Sequence, residues 1–254
     1  MNELQSKMLS LLKEVDDICR SNNIRFFLYG GTVIGAVRHK GFIPWDDDLD
    51  IIFTRDNWNK FREAVKNQRP DRHLSCLEQD DKYYNIWAKY VDPETAYIFP
   101  TAICGEETTG CFIDIGILDA APPKESKRKK MVKWMVDYGE YVNKNYYLTN
   151  RNISSRIRNN YFEFLGKIIG RRRMIRYLSN RIQRYNNKPY KQMIQNSSIY
   201  PVCWDRRYFD EPPEYVPFED TTMPIMKDAG TWLRYTYGDD WYMLPDIIGR
   251  TGHI

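Results

Sequence analysis

Residues 28–51 read LYGGTVIGAVRHKGFIPWDDDLDI. The apolar run over 24–29 is stopped by Gly30 and Gly31, which predicts a buried strand entering a tight turn. Glycines at a strand end let the backbone approach a ligand closely, and a helix start beyond them offers unpaired N–H groups to a phosphate. A second helix is expected over about 32–38, and Gly41 and Pro44 then fix a loop. Residues 48–53 alternate and turn wholly apolar, as an interior strand does. On such a strand Asp48 and Asp50 share one face, while Leu49 and Ile51 turn to the other. Asp46 joins them if the strand starts early, and Asp47 points away. Two ionised carboxylates side by side repel, so they call for a cation. Mg²⁺ fits, because it takes oxygen ligands and binds through one or two carboxylates plus substrate phosphates.

Further along, residues 111–117 read CFIDIGI, where Asp114 is a charge set in an apolar strand. A carboxylate buried alone there is costly, and a neighbouring strand that brings it beside Asp48 and Asp50 resolves the cost as a three-carboxylate metal site. Phosphoryl transfer needs this kind of arrangement, since metal ions neutralise phosphate charge and align the attacking and leaving oxygens. His73 reads as a packed or surface residue in a strand, and no Ser-His-Asp or Cys-His signature is recognisable, which argues against hydrolase chemistry.

Around this centre, Leu4, Met8, Leu11, Leu12, Val15 and Ile18 recur at three- and four-residue intervals and predict an amphipathic first helix over 3–20. Helical spacing returns over 55–68 through Trp58, Phe61, Ala64 and Val65, and strands are expected at 73–78, 84–91, 95–99 and 111–117. The front half is therefore α/β or α+β, a mixed sheet with helices packed on it. Residues 124–188 read as two or three basic helices. The tail from 200 is rich in proline and aromatics, with few regular elements beyond a helix in DAGTWLRYTYG, and enough aromatic area to pack back on the core.

Of 254 residues, 42% are hydrophobic and 28% charged, the composition of a globular chain, which argues against disorder. The net charge of +4 hides an asymmetry. Residues 1–119 carry 14 Lys and Arg against 20 Asp and Glu, residues 120–195 carry 19 against 4, and residues 196–254 carry 5 against 10. The basic third predicts a surface that meets something anionic. No uncharged run exceeds the 13 residues of 192–204, too few for a membrane span, and the N-terminal residues lack a secretory pattern. The expected location is the cytoplasm, with peripheral contact at the inner face of the membrane. Five cysteines without a CxxC pair predict buried, reduced thiols.

The order apolar-Gly-Gly, acid-apolar-acid-apolar, then apolar-acid-apolar resembles the nucleotidyltransferase superfamily of the polymerase-beta type. More closely, GTVIGAVRHKGFIPWDDDLDI, FIDIGILDAAP and the terminal YGDDWYMLPD with its later GH are similar to the LicD family, which includes bacterial phosphocholine transferases and fukutin-related sugar-phosphate transferases. The likeness covers about 25–120 and 226–253. It implies a nucleotidyltransferase-like mixed sheet and transfer of a phospho-group, phosphocholine foremost, from a CDP-linked donor to a hydroxyl of a cell-surface glycan or its lipid-linked precursor, with CMP released. It further implies that Gly30, Gly31 and Thr32 cradle donor phosphate and that Arg38 and His39 neutralise it, with Lys40 as a weaker partner. Asp48 and Asp50 would bind Mg²⁺, or Mn²⁺ in its place. Asp114 would complete the site or activate the acceptor hydroxyl. Asp119 and His253 fall in matched segments and are carried as further candidates. Departures from the pattern are the 16 residues between Gly31 and Asp48, long for the superfamily though not for LicD, and Gly31 where the superfamily commonly has serine.

The expected organisation is a catalytic core over 1–120, a basic helical segment over 121–195 and a C-terminal segment over 196–254 that packs back on the core. Two other readings stay open. One is an ordinary nucleotidyltransferase acting from an NTP on RNA or a small molecule, with Arg171, Arg172, Arg173 and Arg176 on polynucleotide phosphates. The other is a non-catalytic nucleotide-binding module. Contact with an anionic membrane through 124–191 is expected, and nucleic acid is the less favoured partner.

Overall fold

The computed structural model describes residues 1–80, 83, 85–97, 109–142, 153–195 and 203–246. The first helix, α1 (Glu3–Ser21), starts on a capping box in which the Asn2 side chain accepts from the Gln5 N–H and the Gln5 side chain answers the Asn2 N–H. Its stripe of Met8, Leu11, Leu12, Val15 and Ile18 is buried. After β1 (Phe27–Leu28) comes α2 (Gly30–Ile34), which widens at once into a π turn (Gly35–His39). The helix expected over 32–38 is thus present, as an α and a π turn that together run over 30–39, and it begins earlier because Gly30, at φ +57°, makes the turn itself.

Strand β2 (Asp50–Thr54) leads into α3 (Arg55–Gln68) and β3 (His73–Ser75), which is shorter than expected. The two strands expected at 84–91 and 95–99 are one, β4 (Ala88–Tyr97), broken in register between Asp92 and Tyr97; residues 98 and 99 lie outside the described residues. The long β5 (Thr109–Ala121) is the spine of a seven-stranded sheet ordered β1-β2-β5-β4-β3. It runs parallel to β2 and antiparallel to β4, and its last residues pair with β6 (Gln192–Gln195), which pairs in turn with β7 (Cys203–Asp205).

Between β5 and β6 lie three helices, α4 (Glu125–Val142), α5 (Ile153–Ile169) and α6 (Arg171–Gln183). They close a second hydrophobic cluster through Met131, Trp134, Met135, Met174 and Leu178. Among the described residues no helix is long and apolar enough to cross a membrane. The tail is more regular than its prolines suggest. It forms α7 (Arg207–Asp210), a hairpin of β8 (Glu214–Phe218) and β9 (Thr221–Ile225), and α8 (Ala229–Tyr237). Pro217 and Pro224 are accommodated because this two-stranded sheet has a free edge on each side, where a missing N–H costs nothing. Trp204, Phe209, Phe218 and Trp232 pack into the main core with the front half.

Candidate active site

Register pairing settles which charges meet. Asp50 of β2 pairs with Asp114 of β5, and Lys89 of β4 pairs with the same Asp114. Paired residues on neighbouring strands point to the same face, so Asp50, Asp114 and Lys89 form a row across three strands. The Lys89 ammonium lies 3.5 Å from Asp114 Oδ1 and over the Phe112 ring. All three residues are half-buried. The other face of the sheet is closed by α1 and α3, against which Ile51, Phe53 and Ile113 are fully buried.

The turn ahead of β2 is built around Asp50. Its N–H donates to Thr32 Oγ1 at 2.9 Å, and its carbonyl accepts from the Tyr29 N–H at 2.9 Å. Thr32 keeps its hydroxyl proton for another acceptor. A Cβ on Gly30 would fall 2.5 Å from Asp50 Oδ2, and one on Gly31 would lie 3.4 Å from Asp46 Oδ2. The glycine pair therefore sits directly against two carboxylates, and Gly30 combines that close approach with a left-handed backbone. Asp46 is held from below, where the buried Gln5 amide donates to the carbonyls of Ile43 and Asp46 at 3.2 and 2.9 Å. Strand β2 starts only at Asp50, so Asp48 reaches the cluster from the preceding loop instead of by strand alternation as expected.

Electrostatics record the crowding. Burial first, then the charges of Asp48, Asp114 and Asp46, push the Asp50 carboxyl well above the ordinary range, with Lys89 pulling the other way. Asp114 is raised by burial against the pull of Lys89, and Asp48 adds to the rise. Tyr237 at the end of α8 is raised by burial and then by Asp50, Asp48 and Asp46, which places the tail helix at the same cluster. Tyr29 beneath it donates its hydroxyl to Gln195 Oε1 at 2.7 Å. Among the described residues no three His, Cys, Asp or Glu side chains are gathered so tightly that they would hold an ion as they stand. The donor set itself, adjacent carboxylates with raised proton affinity, is of the hard-oxygen type that suits Mg²⁺.

The remaining candidates divide. Arg38 is turned to the tail, donating from Nη1 to the carbonyls of Met243 at 2.8 Å and Trp241 at 3.4 Å, and from Nε to His39 Nε2 at 3.0 Å. His39 therefore presents a lone pair to Arg38, and burial with that guanidinium lowers its pKa. Lys40 is exposed at φ +57°, and its carbonyl accepts from the Glu219 N–H in the β8–β9 turn. Asp119 is not at the row. Five residues beyond Asp114, it points to the opposite face, fully buried, where Arg55 grips it at 2.8 and 2.9 Å and Asn186 donates to it at 2.6 Å. His253 lies outside the described residues. His73 is exposed on β3, and Cys19, Cys76 and Cys111 are buried free thiols raised in pKa by burial. Sequence reasoning missed Lys89 and Tyr237. Lys89 carries the same signal as Asp114, a lone charge in an apolar strand, whereas Tyr237 had none.

Comparison with known proteins bears on the same stretch. Residues 23–153 match the family model described as LicD/FKTN/FKRP, nucleotidyltransferase domain. A lipopolysaccharide cholinephosphotransferase, LicD, of Haemophilus influenzae is 36% identical over 126 residues, which is 48% of this chain and 45% of that protein. An uncharacterized protein of Rickettsia typhi is 48% identical over 58 residues, 23% of this chain and 19% of its own. Another, of Rickettsia prowazekii, is 48% identical over 44 residues, 17% and 16% of the two chains. The chain thus spans less than half the length of each of these relatives.

Proposed function

We propose, from the premise that this chain belongs to the LicD/FKTN/FKRP nucleotidyltransferase domain family, that it transfers a phosphorus-containing group, phosphocholine foremost, from a CDP-linked donor to a hydroxyl of a glycan or its lipid-linked precursor. The observation that carries this reading is the in-register pairing of Asp50 with Asp114 beside Gly30, a carboxylate pair on parallel strands with a close-approach glycine at its edge.

In this reading Asp48 and Asp50 would hold Mg²⁺ through their carboxylates, and Asp114 beside them serves as the proton acceptor. When bound, the ion neutralises phosphate charge and aligns the leaving oxygen. Gly30 and Gly31 let the donor phosphates come close to the backbone, and Thr32 offers its hydroxyl. The acceptor hydroxyl oxygen attacks the phosphorus of the transferred group, the bond from that phosphorus to the CMP oxygen breaks, and CMP leaves with the electron pair. The acceptor proton passes to Asp114, whose burial keeps it more basic than a surface carboxylate. Lys89 stands where it neutralises charge on Asp114 or on an incoming phosphate.

The experiment follows the products. Purified protein is incubated with Mg²⁺ and a panel of CDP-choline, CDP-ribitol, CDP-glycerol and CDP-ethanolamine, or with NTPs, in the presence of saccharide acceptors. CMP released only with CDP-choline is the expected result. CMP from another donor changes the group moved but keeps the reaction. Pyrophosphate from an NTP replaces it with nucleotidyl transfer, and nucleotide binding without turnover replaces it with a binding module.

A further inference from the structure

Among the described residues, the second hydrophobic cluster leaves one face of α5 exposed. Ile157, Tyr161, Phe164 and Ile168 are 65%, 58%, 61% and 64% exposed. At 100° per residue their positions fall within an arc of about 60°, a stripe about 17 Å long. The opposite side of the same helix is packed: Phe162 is buried, and Gly166 lets α5 close on Tyr141, whose hydroxyl occupies the place a Cβ would take. Large apolar residues are thus divided between an inner and an outer face of one helix. Soluble surfaces seldom carry four large apolar side chains in a line without a purpose.

Basic residues are exposed on the same helix and the next. Lys167 is exposed within α5, and Gly170, at φ +89°, turns the chain into α6, which presents Arg172, Arg173, Arg176 and Tyr177 to solvent. The stretch 120–195 carries 19 basic residues against 4 acidic ones. An exposed apolar stripe on one helix, with exposed arginine, lysine and tyrosine on it and on the helix that follows, is the composition of a surface that lies at a membrane interface, apolar side chains among the acyl chains and cations at the head groups.

We propose that the outer face of α5, with the exposed arginines of α6, is a docking surface for an anionic lipid bilayer. Charge complementarity chooses this occupant. A second copy of the chain would bring two strongly basic segments together and repel, and a polynucleotide would use the arginines while leaving Ile157, Phe164 and Ile168 in water. The surface is independent of the reaction proposed above.

The test uses the full chain and vesicles of phosphatidylcholine with or without phosphatidylglycerol, scored by co-sedimentation. The wild type should bind the anionic vesicles, with partitioning that falls as salt is raised. The double variant Phe164→Ser, Ile168→Ser should partition at least about tenfold more weakly at an unchanged Tm, because both side chains are exposed in the free protein. Phe164→Leu should keep binding, which guards against a folding artefact. Arg173→Ser with Arg176→Ser should weaken binding to anionic vesicles only. Wild-type affinity in the Phe164→Ser, Ile168→Ser variant, equal binding to neutral and anionic vesicles, or a wild-type dimer made monomeric by that variant would each overturn the proposal.

Discussion

The acid row and the basic helices use charge in opposite ways. At the row, backbone register forces Asp50 and Asp114 together from strands that hydrogen-bond side by side, and burial, with neighbouring carboxylates adding to it, raises both in pKa. On α5 and α6 the charge lies at the surface, where Arg172, Arg173 and Arg176 are exposed on a helix next in sequence to one with an exposed apolar stripe. Charge held close by a rigid sheet does work on a bound group, since the repulsion is released only when a cation or proton arrives. Charge spread on helices acts collectively, through a field that salt weakens. A third pattern sits between them: Asp119, buried on the far face of strand β5, is held by Arg55 and Asn186, and Arg55 reaches Glu78 as well, so this charge is committed inside the protein.

The sharpest way to break this contrast is Asp50→Asn. It keeps size while removing one charge of the row, and turnover is expected to fall on the order of 10³-fold or more while the circular dichroism spectrum stays unchanged. Retained turnover would show that the row is not where chemistry happens. Asp119→Ala should do the reverse, leaving the buried Arg55 with Glu78 alone as its ionic partner, at a cost of about 3 kcal/mol in urea unfolding. A change of under ~1 kcal/mol there would mean the pair is not the structural anchor of β5.

Gly30→Ala is expected to affect both properties. A left-handed backbone with a Cβ costs about 1–2 kcal/mol, and that Cβ would displace the Asp50 carboxylate, so Tm and turnover should fall together. Loss of stability with normal turnover would separate the glycine from the site.

The smallest effect concerns pH. Burial alone would raise Glu14, but hydrogen bonds from Arg72, Tyr90 and Arg69 outweigh it and hold the carboxyl below its ordinary value of 4.5. Its folded pKa is depressed, so its stabilisation is present above 4.5 and is lost as pH falls through the folded value. The stability gap between wild type and Glu14→Gln, about 1 kcal/mol near neutrality after screening, should therefore close in acid. A gap that stays constant down to about pH 3 would contradict the ion pairs.

Much of this contrast is legible in the chain itself. The 3–20 stripe foretold α1 because helical spacing and burial coincide there, and acids running into apolar residues foretold β2 and β5. Lys89 could have been read by the same rule as Asp114 and was passed over. Other features had no local signal. Arg38, expected on phosphate, is spent on the carbonyls of Trp241 and Met243, contacts more than 200 positions away. The outer face of α5 shares its helical period with the inner one, so spacing alone could not tell which apolar residues would find a partner. Strand pairing of the tail likewise depended on β6 finding the end of β5 across the whole helical insertion.

Residue order by itself determined where the charges lie, which segments alternate with which period, and that Gly30 and Gly31 end a buried run, because these follow from side-chain chemistry and backbone freedom over a few positions. Only the tertiary structure decided that Asp50, Lys89 and Asp114 share one face, that Asp119 is sealed behind it and that Tyr237 of the tail comes within electrostatic reach of the row. Those outcomes rest on pairing between strands far apart in the chain. A one-residue slip in that pairing would have turned every one of these side chains to the other side.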